Sequence, residues 1–174
     1  MATEPTISFR PLAREDFAQL HRWVRAPHVA PWWDDPVELD AITRDYAPCI
    51  AGEDRTQVFV VVVDGRAVGF LQSYRWADHP DLASTFGAGA GEAGIDIVIG
   101  EAEMTGRGLG PAIIRQFIET MVFADDAVRG VVVEPDARNA RSVRAFEKAG
   151  FAAVTRIGLV GEAADRQVLR LVRG

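Results

Sequence analysis

A single cysteine, Cys49, leaves the chain no internal disulfide, so a packed core has to hold the fold without covalent staples. No residue near it in sequence would lower its pKa, and an inert core or interface thiol is expected. The three histidines, His21, His28 and His79, have neither metal-ligand spacing nor an obvious nucleophile to serve, so no metal and no histidine role are expected. No apolar run approaches the ~20 residues that cross a bilayer. The opening Met1-Ala-Thr-Glu-Pro-Thr lacks the basic and apolar regions of a secretory signal. Membrane is thus not expected as a partner, and the cytoplasm is the expected location. Positive charge is in deficit: 19 Lys and Arg against 25 Asp and Glu, a net charge of −6. Nucleic acid, which needs a basic surface, is excluded as the natural partner. A cationic ligand is weakly favoured.

The 174 residues fit one domain spanning 1–174, with apolar residues at 48%, an ordinary globular composition. Residues 6–12 alternate as a strand, and Phe17, Leu20 and Trp23 or Val24 recur at helical spacing up to about Arg25. Pro27 and Pro31 break that helix, and a second is expected from Val37 to about Tyr46. Residues 57–63 form a strong strand, Asp64-Gly65 a tight hairpin turn, and 67–76 the return strand. Residues 77–94 are rich in Gly, Ala, Asp and Ser and are expected to be a long surface loop. A strand over 94–100, a Gly-rich turn, a helix over 109–123, a strand from 128 ended by Pro135, a helix over 139–148 and two closing strands complete the pattern. The order implies an α/β fold with a mixed sheet.

The segment Glu101-Ala-Glu-Met-Thr-Gly-Arg-Gly-Leu-Gly joins a strand to a helix. Glycines at 106, 108 and 110 let main chain lie close to a ligand. The helix start behind them presents unpaired N–H groups, an anion cradle suited to a pyrophosphate. A ligand-free glycine turn has the same local pattern. The dinucleotide fingerprint fails, because it needs Gly-x-Gly-x-x-Gly in an early β-α-β unit, and a Walker loop fails for want of Gly-Lys-Ser/Thr.

The turn Thr105-Gly-Arg-Gly-Leu-Gly110 resembles the acetyl-CoA pyrophosphate loop of the GCN5-related N-acetyltransferase (GNAT) family, with Thr105 where that family usually has Gln or Arg. Downstream, Asn139-Ala-Arg-Ser-Val-Arg-Ala-Phe-Glu-Lys-Ala-Gly-Phe151 is similar to the family's helix beside the coenzyme arm. Pro31-Trp32-Trp33, Gly69 to Tyr74, Gly94-Ile-Asp96 and Val133 to Asn139 resemble aminoglycoside 6'-N-acetyltransferases, a subgroup that also holds siderophore-lysine acyltransferases. The resemblance implies the GNAT fold: a mixed central sheet flanked by helices, with strands splayed around an acetyl-CoA site. It also implies acetylation of an amine on a cationic small molecule, by direct transfer in a ternary complex.

The resemblance implies a role for each site residue. Asp96 orients and deprotonates the amine, which requires burial or neighbours that raise its pKa. A buried structural carboxylate is the alternative at that position. Main chain at Ile97, Val98 and Ile99 meets the thioester and pantetheine, and Arg107, Gly108, Leu109 and Gly110 hold the pyrophosphate. Asn139, Ser142 and Phe146 flank the coenzyme. Phe146 stands where the family often has a tyrosine that protonates the leaving sulfur. Tyr74 is the substitute, and since a thiol's pKa is about 8.5 the missing hydroxyl costs little. Trp32, Trp33, Asp34, Gln72, Tyr74, Asp96, Glu134 and Asp136 are the expected substrate contacts, and of the two tryptophans one should be core and one pocket wall. Two further readings remain: acylation of another amine, such as a siderophore lysine or polyamine, and a catalytically weak acyl-CoA-binding domain.

Overall fold

The computed structural model describes residues 4–174. Among them, seven strands and five α-helices follow in the order β1 (Ile7–Pro11), α1 (Phe17–Val24), α2 (Leu39–Ala51), β2 (Gln57–Val63), β3 (Arg66–Arg75), α3 (Pro80–Phe86), β4 (Glu92–Ile99), α4 (Leu109–Phe117), β5 (Gly130–Val133), α5 (Ala140–Lys148), β6 (Ala152–Gly158) and β7 (Asp165–Val172). The strands form one sheet in the order β1-β2-β3-β4-β5-β7-β6. It is mixed: β4 and β5 run parallel, while β1–β2, β5–β7 and β6–β7 are antiparallel. This is the fold class implied by the order of elements.

Packing divides the chain into two compact units. One runs to Gln72 and takes in Ile97–Leu109; the other comprises Ser73–Asp96 and Gly110–Gly174. In the first, Phe17, Leu20, Trp23 and Val24 of α1 are all buried and join Ile42, Tyr46, Val58, Val60, Phe70 and Val98 in one apolar cluster. The β2–β3 hairpin turns on Asp64 (φ 50°) and Gly65 (φ 79°), two successive left-handed residues that match the twist of the flanking strands. In the second, Trp76, Ala83, Phe86, Val132 and Val168 pack together.

Two elements depart from expectation. The stretch over 77–94 is not a long loop: α3 occupies Pro80–Phe86, and β4 already begins at Glu92. Pro80 starts α3 where a missing N–H costs nothing, Gly87 (φ 67°) ends it, and Ala83 and Phe86 bury its inner face. Helix α2 continues past Tyr46 to Ala51 with Pro48 inside it. Pro48 deprives the Arg44 carbonyl of its helical donor, but Arg44 is exposed and water can serve.

Candidate active site

Where β4 leaves β5, a side chain takes over from the strand. The two strands pair at Glu92↔Gly130 and Ala93↔Val131. On its other side β5 bonds β7 through alternate residues, as the Gln167 N to Pro135 O and Arg173 N to Arg129 O bonds show. That alternation turns the Val132 carbonyl toward β4. Trp76, 1% exposed, donates its indole N–H to this carbonyl at 3.1 Å. Gly94, Ile95 and Asp96 lie beyond the paired stretch, in the same unit as β5.

Asp96 is partly buried in this stretch. Tyr74 packs directly on Gly94: a Cβ there would run into the ring and lie 2.6 Å from the hydroxyl. Trp76 and His79 meet the Tyr74 ring edge to face, at centroid distances of 5.3 and 5.4 Å. Burial drives the phenol pKa far above its ordinary value, and the negative charges of Asp96 and Glu134 push it the same way. Tyr74 therefore holds its proton at any working pH. Asp96, Tyr74 and Glu134 form one electrostatic group within one unit.

Asp136 and Glu134, singled out from sequence, and the nearby Glu92 have cationic partners. Asp136 accepts from Arg138 at 2.8 and 3.1 Å and from the Arg138 main chain at 2.8 Å, and these bonds hold its carboxyl below the usual carboxylate range. Glu134 lies 3.8 Å from Arg166. Glu92 pairs with Arg170 at 2.9 Å. In the same unit Asn139 caps α5, its Oδ1 accepting from the Ser142 N–H at 3.1 Å. Phe146 is 3% exposed and meets Phe151 edge to face at 5.2 Å.

The first unit carries the glycine turn. Gly106 (φ 72°) and Gly108 (φ 75°) are left-handed, with no atom within 4 Å of where a Cβ would sit. Arg107 and Gly108 are exposed, and Leu109 opens α4. Alternating left-handed glycines ahead of a helix start leave main-chain nitrogens open to an anion, so these residues fit a pyrophosphate. In the same unit Ile97 and Ile99 are partly buried and Val98 is buried. Gly69 allows close approach, since a Cβ there would collide with the Val98 carbonyl. Trp33, partly buried, packs on Phe70 at 5.3 Å, while Trp32 is 40% exposed. Asp34 is exposed and Gln72 partly buried. Thus Asp96 and Tyr74 come together, while the residues expected to hold the coenzyme are divided between the two units.

The sequence reading missed three groups. Trp76 was taken only as a strand end. His28 was given no role, yet its Nε2 bonds the Ile99 carbonyl at 2.9 Å. Glu101 was treated as turn, yet it is a buried carboxylate. A single sequence carries no signal for the last two, because their partners lie some 70 to 80 residues away. Cys49 behaves as expected: burial raises its thiol pKa, and its Sγ contacts the Asp45 carbonyl at 3.7 Å. Among the described residues, no cluster of His, Cys, Asp and Glu could hold a metal ion, and no helix is long and apolar enough to cross a membrane.

Residues 13–159 match the acetyltransferase (GNAT) domain family. The aminoglycoside N(6')-acetyltransferase type 1 of Klebsiella pneumoniae is 27% identical over 149 residues, 84% of this chain and 74% of that protein. An N-hydroxyputrescine acetyltransferase of Acinetobacter baumannii is 28% identical over 123 residues, 70% of this chain and 57% of that protein. Among solved structures, the aminoglycoside acetyltransferase AAC(6')-Ib in complex with coenzyme A and kanamycin superposes with a TM-score of 0.80 at 24% identity, over 97% of this chain and 95% of that one.

Proposed function

The chain belongs to the GNAT acetyltransferase family, and from that premise we propose that it transfers the acetyl group of acetyl-CoA to the 6'-amine of an aminoglycoside, acting as a single domain. The observation that carries this reading is the group formed by Asp96, Tyr74 and Glu134 beside the departure of β4 from β5. Nitrogen attacks the thioester carbonyl, the carbon–sulfur bond breaks, the amine gives up one proton and the thiolate gains one. Asp96 takes the proton from nitrogen, and Tyr74, held in its neutral form, donates a hydrogen bond to the departing sulfur, whose thiolate takes its proton from solvent. The turn from Thr105 to Gly110 receives the pyrophosphate through main-chain nitrogens, with Arg107 beside it. Main chain at Ile97 to Ile99 meets the acyl oxygen and pantetheine, and α5, from Asn139 through Ser142 to Phe146, flanks the coenzyme arm. Bound acetyl-CoA supplies the activated acyl group and nothing else.

Trp32, Trp33, Asp34 and Gln72 complete the substrate contacts, with Asp136 and Glu134 as anionic partners for ammonium groups. The net charge of −6 draws a polycation in. Acetylation of a polyamine-like substrate is the second reading, favoured by the 28% identity to the N-hydroxyputrescine enzyme. Thiol release and product mass are measured with acetyl-CoA against two aminoglycosides, one bearing a 6'-amine and one a 6'-hydroxyl, and against putrescine derivatives. Turnover of the 6'-amine compound alone is the expected result; turnover of the diamine alone selects the second reading. Absence of turnover on all of them, from folded protein that binds CoA, leaves the coenzyme-binding domain.

A further inference from the structure

The last residue of β4 and the two that follow it are gripped in succession by the segment that begins with α1. His28 bonds the Ile99 carbonyl. The Trp23 indole lies against Gly100 so closely that a Cβ would collide with it. The Glu101 carboxylate accepts from Trp23 Nε1 at 2.8 Å, Arg22 at 2.7 Å and Gln19 at 3.3 Å on one oxygen, and from Arg66 at 3.0 Å on the other. Gly100 N and Glu101 N both donate to Val68 O, at 2.9 and 3.1 Å, a bulge that re-aims the Glu101 side chain inward. These groups all belong to the unit that carries the glycine turn.

From Glu101 the chain is tied directly into that turn. Met104 N donates to Glu101 O at 3.0 Å, and Thr105 bonds Ala102 O through both its N–H and its hydroxyl. Arg66 reaches Glu103 as well, at 2.6 Å. A turn with left-handed glycines at 106 and 108 has unusual freedom to lose, and donors aimed at an anion contribute most when fixed beforehand. A carboxylate buried against two largely exposed arginines, by contrast, is weak evidence for stability alone.

We propose that Glu101 is a positioning residue for the coenzyme: its carboxylate fastens the end of β4 to α1 and Arg66, and so fixes the main-chain nitrogens of the turn that follows. The proposal rests on the reading of that turn as the pyrophosphate site. It touches no step of acyl transfer.

The test uses E101Q, which keeps an acceptor for Trp23 but loses the charge facing Arg22 and Arg66, and R66A, which removes the bonds to Glu101 and Glu103 from the exposed side. Both are checked for folding by circular dichroism and melting. Expected is a rise of about tenfold in the CoA Kd, by calorimetry, and in the acetyl-CoA KM for E101Q. R66A moves the same way by about threefold, and the amine KM and kcat stay unchanged. An unchanged CoA Kd in either folded variant overturns the proposal. So does an equal rise in the KM of both substrates, which is what general loosening of the fold gives. Parent protein that shows no heat with CoA refutes the pyrophosphate reading itself, before any variant is made, and this proposal falls with it.

Discussion

Gly94→Ala offers a direct test of where Tyr74 sits. The added methyl would lie 2.3 Å from two ring carbons and 2.6 Å from the phenol oxygen, against 3.4 Å for an ordinary contact, so the ring must retreat by roughly 1.1 Å and carry the hydroxyl with it. Misplacing a reacting group by about 1 Å lowers a rate by up to ~10²-fold. Overpacking costs about 1–3 kcal/mol, which for a chain of this size lowers the melting temperature by roughly 2–12 °C and leaves the protein folded at assay temperature. Tyr74→Phe removes the hydroxyl without moving the ring, and its kcat should fall by about 10- to 100-fold. If G94A acts only by displacing that hydroxyl, it adds nothing once the hydroxyl is gone. Measured as kcat for acetyl transfer at saturating substrates, the double variant should equal Y74F. A folded G94A that turns over within about twofold of the parent, or losses that multiply in the double variant, refutes the reasoning.

Three further outcomes follow from the same geometry. Asp96→Asn should lower kcat by about 10²–10⁴-fold and, by removing one negative neighbour, bring the Tyr74 pKa down. Steady-state kinetics read the loss, and parental turnover in D96N removes Asp96 from the base role. Gly108 (φ 75°) has empty space around its Cβ position, so only backbone conformation limits substitution. Gly108→Asn should bind CoA nearly as the parent does, whereas Gly108→Val, costing about 1–2 kcal/mol in the left-handed region, should bind about tenfold more weakly by calorimetry. The carboxyls of Glu101, Asp16 and Asp136 titrate below their ordinary values in the folded state, held down chiefly by Trp23, Arg10 and Arg138 respectively. Between folded and ordinary pKa the unfolded chain binds more protons, so their stabilisation is present above about pH 4 and is lost as pH falls through the folded values. Melting temperatures measured from pH 6 to 3 should drop more steeply for the parent than for E101Q, and parallel curves would remove Glu101 from the acid response.

What the sequence made legible was whatever is decided locally. Asp64-Gly65 announces its hairpin because two left-handed residues are needed in a row. Asn139 announces α5 because its side chain caps the Ser142 N–H three residues on. The alternating glycines at 106 and 108 mark a turn that only such residues adopt without strain. Helix α3 escaped because its seven residues are flanked by the same Gly and Pro that punctuate loops, and what identifies it is the burial of Ala83 and Phe86. Helix α2 ran through Pro48 for a similar reason: the residue whose carbonyl Pro48 leaves without a helical donor, Arg44, is exposed. The hub at Glu101 and the bond from Trp76 to Val132 were illegible in principle. Each joins residues far apart in sequence, and nothing local distinguishes such an acid or indole from its neighbours.

The departure at Phe146 has a physical consequence for the proton that sulfur receives. A tyrosine at that position would place a hydroxyl in a site 3% exposed and packed edge to face on Phe151, where an oxygen without a partner costs about 1–3 kcal/mol. Phenylalanine leaves no such oxygen there, and its ring carries no acid function. Tyr74 has the complementary character. It is only partly buried, yet desolvation and two carboxylates hold its proton far above neutrality. Such a phenol is a poor acid toward water but can still serve a thiolate, because it need only share its proton as charge develops on sulfur, and a thiol with a pKa of about 8.5 departs readily near neutral pH. On the proposed mechanism, aid to the leaving group is therefore modest and aid to nitrogen large. The two should separate in practice: loss of the Tyr74 hydroxyl should weigh less on kcat than loss of the Asp96 charge, and the reverse order would reassign the proton donor.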